Sequence, residues 1–167
     1  MKSVMKKITL VVVLLSFFSL SGCQMDFSKG VKKDFKTGIT VTNDGLSYED
    51  YYLAVGDQRL GTSEVSMGDK VYLNFTGVDG FTEENGKVFP GAAMVVTDRD
   101  GKEVLHEDDL FSAYSKDGVD KADAKVMSVS VVVGDPMISG ESYNWKVRFW
   151  DKKHAGEIRA ELDLKVK

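Results

Sequence analysis

The sequence predicts an all-β protein, an antiparallel β-sandwich of about seven to nine short strands, with a small β-barrel as the alternative. From residue 38 onward, apolar and polar side chains alternate with a period of two, which is typical of half-buried strands. Turn pairs such as Asn85-Gly86 and Asp100-Gly101 separate the alternating runs. The chain has 167 residues, of which 43% are hydrophobic and 29% charged, and this indicates one globular domain.

The strand assignments follow from the alternating runs. Strands are expected near residues 39–41, 51–55, 71–76, 92–97, 127–133, 143–150 and 157–166. In the last run, apolar residues at even positions alternate with charged residues at odd positions, so one face is dry and the other wet. Residues 151–156 form a turn between the last two runs, which predicts an antiparallel hairpin. Only residues 107–114 favour a helix, and that piece is short.

The N-terminus carries the most specific motif. Three lysines precede an apolar run at residues 8–20, and Leu20-Ser21-Gly22-Cys23 follows. This arrangement resembles the signal peptide and lipobox of bacterial lipoproteins. The resemblance implies that residues 1–22 are cleaved and that Cys23, the only cysteine, is acylated and anchors the chain in a lipid bilayer. Residues 23–37 would then be the lipidated cysteine and a basic tether, and residues 38–167 the β-sandwich domain.

The residues after Cys23 bear on localisation within the cell envelope. Gln24 resembles the residue that directs lipoproteins to the outer membrane, since an aspartate there would favour the inner membrane. A single acid, Asp26, does not match the acidic run that exports some lipoproteins to the cell surface. We therefore expect an outer-membrane lipoprotein, and the sequence leaves open whether it faces the periplasm or the surface.

Two segments resemble bacterial immunoglobulin-like domains. One is Gly68-Asp69-Lys70-Val71 at the start of a strand, and the other begins with Gly140 and Tyr143 and leads into the final hairpin. The resemblance implies an Ig-like arrangement of the sandwich. The Cys-Trp-Cys pattern of antibody domains is absent from the sequence.

Charge is distributed unevenly along the chain. Cleavage before Cys23 would leave a net charge of −7, with +2 in residues 24–37 and −9 in the remainder. Lysines next to a membrane favour anionic head groups, and the alternative is a solvated linker whose charge is incidental. The acidic body argues against a nucleic-acid partner, which needs a basic surface.

Acidic residues suggest a possible metal site. Residues 98–123 have a net charge of −5, and calcium prefers hard oxygen ligands. Asp98, Asp100, Asp108 and Asp109 are therefore candidate ligands of a Ca²⁺ ion, and the alternative is that they are solvated loop residues. No other cofactor is indicated.

Two aromatic residues are candidates for ligand binding. Trp150 falls on the polar face of its strand, and Tyr52 belongs to a group of tyrosines at residues 48–52. Exposed rings of this kind stack on sugars or anchor a protein partner. The predicted partner is therefore an unknown envelope protein or a glycan.

The sequence contains no recognisable catalytic motif. Its two histidines, His106 and His154, read as surface residues, and no nucleophile elbow, phosphate loop or zinc-protease helix occurs. The predicted function is a non-catalytic binding or assembly module of the envelope, and we do not expect an enzyme. The alternatives are a calcium-stabilised adhesion module and a small envelope hydrolase or enzyme inhibitor.

Overall fold

A computed structural model describes residues 29–167, and the predicted signal peptide, the predicted lipobox and Cys23 lie outside this range. Within these residues the regular secondary structure consists of β-strands and two short 3₁₀ turns, at Ser112–Tyr114 and Asp123–Lys125. The strands are β1 (Lys29–Lys33), β2 (Thr40–Asp44), β3 (Asp50–Val55), β4 (Gln58–Arg59), β5 (Glu64–Val65), β6 (Lys70–Thr76), β7 (Lys87–Val88), β8 (Pro90–Thr97), β9 (Glu103–Glu107), β10 (Val119–Asp120), β11 (Val126–Val132), β12 (Ser142–Asp151) and β13 (Glu157–Val166). The helix predicted at residues 107–114 is only a 3₁₀ turn at Ser112–Tyr114.

The strands form two main sheets that pack face to face. The large sheet has the order β1-β2-β13-β12-β8-β9, with β5 pairing in parallel to the end of β13, and the small sheet has the order β11-β6-β3-β4. Strands β7 and β10 form a separate two-stranded ribbon. The prediction of an antiparallel β-sandwich is confirmed. The barrel alternative is wrong, because within residues 29–167 neither main sheet closes on itself: the strand orders end at β1 and β9 and at β11 and β4.

The core lies between the inner faces of the two sheets. The predicted alternation holds along β12 and β13, where every second side chain is buried. Phe75 of the small sheet meets Phe149 of the large sheet edge to face, with ring centroids 5.5 Å apart. This period of two leaves the intervening residues of β12 and β13 on the outer face of the large sheet.

Some of the architecture was not anticipated. Nine strands in the described range have five or more residues, in line with the predicted number, and four more have only two. Strand β1 lies inside the segment that we expected to be a tether, and it pairs with β2 from Lys29 to Lys33. The sheet therefore begins before residue 38. Among residues 29–167, no helix is long and apolar enough to span a bilayer.

Candidate binding surface

The four aspartates of the calcium hypothesis do not meet. Asp98 closes the turn between β8 and β9, where its Oδ1 accepts hydrogen bonds from the backbone N–H groups of Asp100 and Lys102 at 3.0 and 2.9 Å. Asp108 and Asp109 follow β9 at the other end of the strand. Five residues of extended strand separate the two pairs by about 16 Å. In the part of the chain that the structure describes, no three potential ligands cluster as a metal site would require.

Asp108 and Asp109 have other partners instead. Asp109 lies 2.7 Å from the Nζ of Lys152 and accepts the backbone N–H of Phe111 at 3.0 Å, so it holds the loop after β9 to the final hairpin. Asp108 contacts His106, whose other ring nitrogen lies 2.9 Å from Glu103. The carboxylates of Glu103 and Asp108 raise the pKa of His106, which lies on the exposed strand β9. Asp98 and Asp108 or Asp109 thus belong to separate sets of local contacts at the two ends of β9.

The two aromatic candidates lie on different sheets. The ring of Tyr52 lies on the small sheet, with the guanidinium of Arg59 4.5 Å from its centroid. The half-buried indole of Trp150 lies on the large sheet against Gly91, where a Cβ atom would overlap it, and the guanidinium of Arg148 is 4.9 Å from its centroid. The two rings therefore cannot contact one small ligand together, and contacts within the protein already occupy part of each.

The outer face of the large sheet forms a shallow groove of about 470 Å³ across four strands, which we call the sheet groove. Small side chains of β2 and β8 flank it, and long charged side chains of β12 and β13 cross it. Its lining side chains include Thr40, Thr42, Ala93, Val95, Lys146, Arg148, Arg159 and Glu161. Trp150 follows two residues after Arg148 on the same face of β12, because side chains alternate along a strand.

The register of the final hairpin brings two arginines together at the groove. Arg148 and Arg159 are direct cross-strand partners, and Trp150 pairs with Glu157 one row further along the same face. Glu157 accepts hydrogen bonds from the Nε of Arg159 at 2.7 Å and from the Nε of Arg148 at 2.8 Å. One carboxylate therefore serves two guanidinium groups, which would otherwise repel each other across the strands.

This arrangement fixes the charge of Glu157. The hydrogen bonds from Arg159, and then from Arg148, hold the pKa of Glu157 below its usual range against the opposing effect of burial. The same contact with Glu157 raises the pKa of Arg159. The arginine pair thus retains a net positive charge, because two permanent cations share one anion.

The groove offers chemistry suited to binding. Its lining carries three cations and one carboxylate, Glu161, which lies 3.6 Å from the Nζ of Lys146. Arginine presents planar N–H donors that match carboxylate, sulfate or phosphate oxygens. Sequence reasoning did not single out Arg148 and Arg159, although the predicted hairpin register would have placed them opposite each other.

Comparisons with known proteins support the fold alone. No protein-family model and no curated protein matches the chain. Among solved structures, it is similar to the crystal structure of the C-terminal domain of Wzt, with a TM-score of 0.52 and 10% sequence identity. The match covers 81% of this chain and 82% of that domain. The shared β-sandwich is consistent with the architecture described above and carries no assignment of function at this level of identity.

Proposed function

We propose that this chain is a lipid-anchored, non-catalytic binding module of the bacterial cell envelope, and that its sheet groove takes a short acidic segment of a glycan. The lipobox at Leu20-Ser21-Gly22-Cys23 supports the anchor, and Gln24 supports the outer membrane. We also propose that the strands of the sandwich have an Ig-like arrangement. An envelope protein with an acidic surface would be the alternative ligand.

The pairing of Arg148 with Arg159 across β12 and β13 carries the proposal for the ligand. Residues 38–167 contain more acidic than basic residues. Arg148 and Arg159 nevertheless place two guanidinium groups side by side on an open surface. An incoming carboxylate can share their remaining N–H donors. The excess of acids elsewhere opposes a long polyanion such as nucleic acid, so the ligand's charge should be local.

Binding of short oligosaccharides to the full-length protein tests the groove. We expect tetragalacturonate, which has a carboxylate on each sugar, to bind more tightly than neutral maltotetraose in isothermal titration. Because a hydrogen bond to a charged group contributes about 1.5–3 kcal/mol, Arg148→Ala or Arg159→Ala should weaken binding about 10-fold to 100-fold. The matched control is Arg59→Ala, which removes an exposed arginine of the small sheet. Equal binding of the two sugars would refute the acidic preference.

The anchor has an independent test. Mass spectrometry of the mature protein from membranes should give an N-terminal peptide that begins at Cys23 and carries acyl chains. Cys23→Ala should abolish processing and acylation. An intact, unacylated Cys23 in the mature protein would refute the anchor and leave the groove unaffected.

A further inference from the structure

The first strand and the turn after it form an exposed basic segment, residues 29–36, which we call the basic edge. All five residues of β1 are exposed, and β1 is the outermost strand of the large sheet. Two apolar side chains stand out into solvent, Val31 at 73% and Phe35 at 89% exposure. Single exposed apolar side chains are common on protein surfaces, so Phe35 bears on function only together with the lysines beside it.

The turn presents Phe35 in an ordered conformation. Asp34 Oδ2 accepts the hydroxyl of Thr37 at 2.6 Å, and Asp34 Oδ1 accepts the backbone N–H of Lys36 at 3.0 Å. The backbone N–H of Asp34 also donates to the carbonyl of Ile39 at 2.8 Å. These bonds close the turn around Phe35 and leave its ring projecting from the tip.

The charge of the basic edge is largely uncompensated. It has four lysines and one aspartate, a net charge of +3. Lys29 lies 3.0 Å from Asp44, whereas Lys32, Lys33 and Lys36 form no ion pair within residues 29–167. Lys32 places its Nζ 5.0 Å from the centroid of the Tyr48 ring. Lys32 also interacts electrostatically with Asp50, and Lys36 with Asp34, but all three lysines are exposed and can contact external anions.

The opposite edge of the same sheet has the opposite charge. Residues 103–109, which contain β9, have four acidic residues and no lysine or arginine. Strands β1 and β9 are the first and last strands in the sheet order, with four strands between them. Five strand spacings near 4.8 Å place the two edges about 24 Å apart. A negatively charged surface would attract the basic edge and repel the β9 edge, which orients the domain.

The predicted anchor is close to the basic edge. Only residues 24–28 lie between Cys23 and β1. Six residue steps span at most about 20 Å, so a lipid on Cys23 keeps Lys29 near the membrane surface. Phe35 is six residues further along the chain, about 20 Å in extended form, so both Lys29 and Phe35 reach the membrane when β1 lies along its surface.

We propose that the basic edge docks on a membrane rich in anionic lipids, with Phe35 inserted at the level of the head groups and the lysines on lipid phosphates. This inference rests on the proposed lipid anchor at Cys23. The anchor and the basic edge together fix the domain with β1 toward the membrane and β9 away from it. A lipid anchor alone would leave the domain free to rotate about the tether.

The test uses the full lipidated protein, purified from membranes and reconstituted in vesicles, with Phe35→Trp. Vesicles contain phosphatidylcholine with or without phosphatidylglycerol, and brominated lipids quench a tryptophan that enters the bilayer. Spectra of the parent protein are subtracted to remove the signals of Trp145 and Trp150. Val132→Trp is the matched control, because Val132 is 60% exposed on β11, an edge strand of the small sheet.

In anionic vesicles, we expect the indole introduced by Phe35→Trp to shift to the blue and to be quenched. The indole introduced by Val132→Trp should remain solvent-exposed and unquenched. Quenching in Phe35→Trp should fall in vesicles without phosphatidylglycerol and at 1 M salt, where the Debye length shrinks to about 3 Å. Replacing Lys32, Lys33 and Lys36 with glutamine should give the same loss. Each lysine near an anionic surface contributes about five-fold in binding.

The outcomes separate this inference from the proposed anchor. If the new indole of Phe35→Trp stays unquenched in protein that carries the lipid and floats with the vesicles, docking of the basic edge is refuted and the anchor stands. Equal quenching in the Phe35→Trp and Val132→Trp variants would also refute it, because the domain would then have no fixed orientation. Mass spectrometry that finds no acyl chain on Cys23 would instead refute the anchor.

Discussion

Replacing Asp151 by alanine should lower the stability of the sandwich, because Asp151 joins the loop between β6 and β7 to the final hairpin. Asp151 is only 3% exposed. Its Oδ2 accepts the backbone N–H of Thr82 at 2.7 Å, across 69 residues of sequence, and its Oδ1 accepts that of Lys153 at 2.9 Å. In the alanine variant, the N–H of the half-buried Thr82 loses this acceptor, whereas water can reach the exposed Lys153.

The magnitude follows from these two contacts. A hydrogen bond to a charged group contributes about 1.5–3 kcal/mol, and the bond to Thr82 should count fully because its N–H is shielded. With a smaller contribution from Lys153, we expect a loss of about 3 kcal/mol in the free energy of unfolding. For a chain of this size, that corresponds to a fall in Tm of about 9 °C.

Thermal unfolding followed by circular dichroism measures this shift, and hydrogen exchange at Thr82 locates it. Asp117→Ala, which removes an exposed aspartate from another loop, is the control and should leave Tm nearly unchanged. Asp151→Asn should be intermediate, because the amide retains one acceptor oxygen. A fall in Tm of less than about 3 °C for Asp151→Ala, or unchanged exchange at Thr82, would refute the reasoning.

Three further changes have definite expected outcomes. Gly91→Ala should displace the indole of Trp150, cost about 1–3 kcal/mol in denaturant unfolding and shift the tryptophan fluorescence. Tyr48→Phe should be neutral or stabilise the fold by up to about 1 kcal/mol in thermal unfolding, because the buried Tyr48 hydroxyl has no hydrogen-bond partner within residues 29–167. Burial raises the pKa of Tyr48 to about 12, so absorbance titration should also show the loss of a late-ionising tyrosine. Hydrogen bonds from Arg159 lower the pKa of Glu157 in the folded protein. The ionised carboxylate therefore stabilises the fold above the unfolded pKa of about 4.3, and this contribution is lost as the pH falls through the folded pKa. Glu157→Gln should thus reduce the dependence of stability on pH in the acid range.

Each of these changes has a result that contradicts it. Unaltered stability and fluorescence in Gly91→Ala would mean that the indole does not pack on that backbone. Clear destabilisation by Tyr48→Phe would mean that the hydroxyl has a partner. An unchanged acid slope in Glu157→Gln would mean that its pKa is the same in the folded and unfolded chains.

The sequence predicted the strands that bury one face well and missed the exposed edge strands of the large sheet. Alternation in residues 143–150 and 157–166 identified β12 and β13, and their pairing is confirmed residue by residue. Strands β1 and β9 were missed, because neither has a buried residue and so neither carries the apolar alternation that burial imposes. Edge strands of this kind are held by backbone hydrogen bonds, which leave little trace in the choice of side chains.

The candidate sites show the same limit in another form. Asp98 and Asp109 are near each other in sequence, but the hairpin of β8 and β9 directs them to opposite ends of a strand. Arg148 and Arg159 are eleven residues apart and face each other, because the turn between their strands sets the register. Clusters of like residues along a sequence are thus weaker indicators of a site than positions related by strand pairing.

The position of β13 in the large sheet has a consequence for the order in which the domain can assemble. Strand β13 lies between β2 and β12, so it joins β1 and β2 to the rest of that sheet. Val41 pairs with Ala160, and well over a hundred residues lie between the two in the sequence. Contacts of such long range close late and slowly during folding. The N-terminal strands, which adjoin the proposed anchor, therefore have no place in the sheet until β13 has been synthesised.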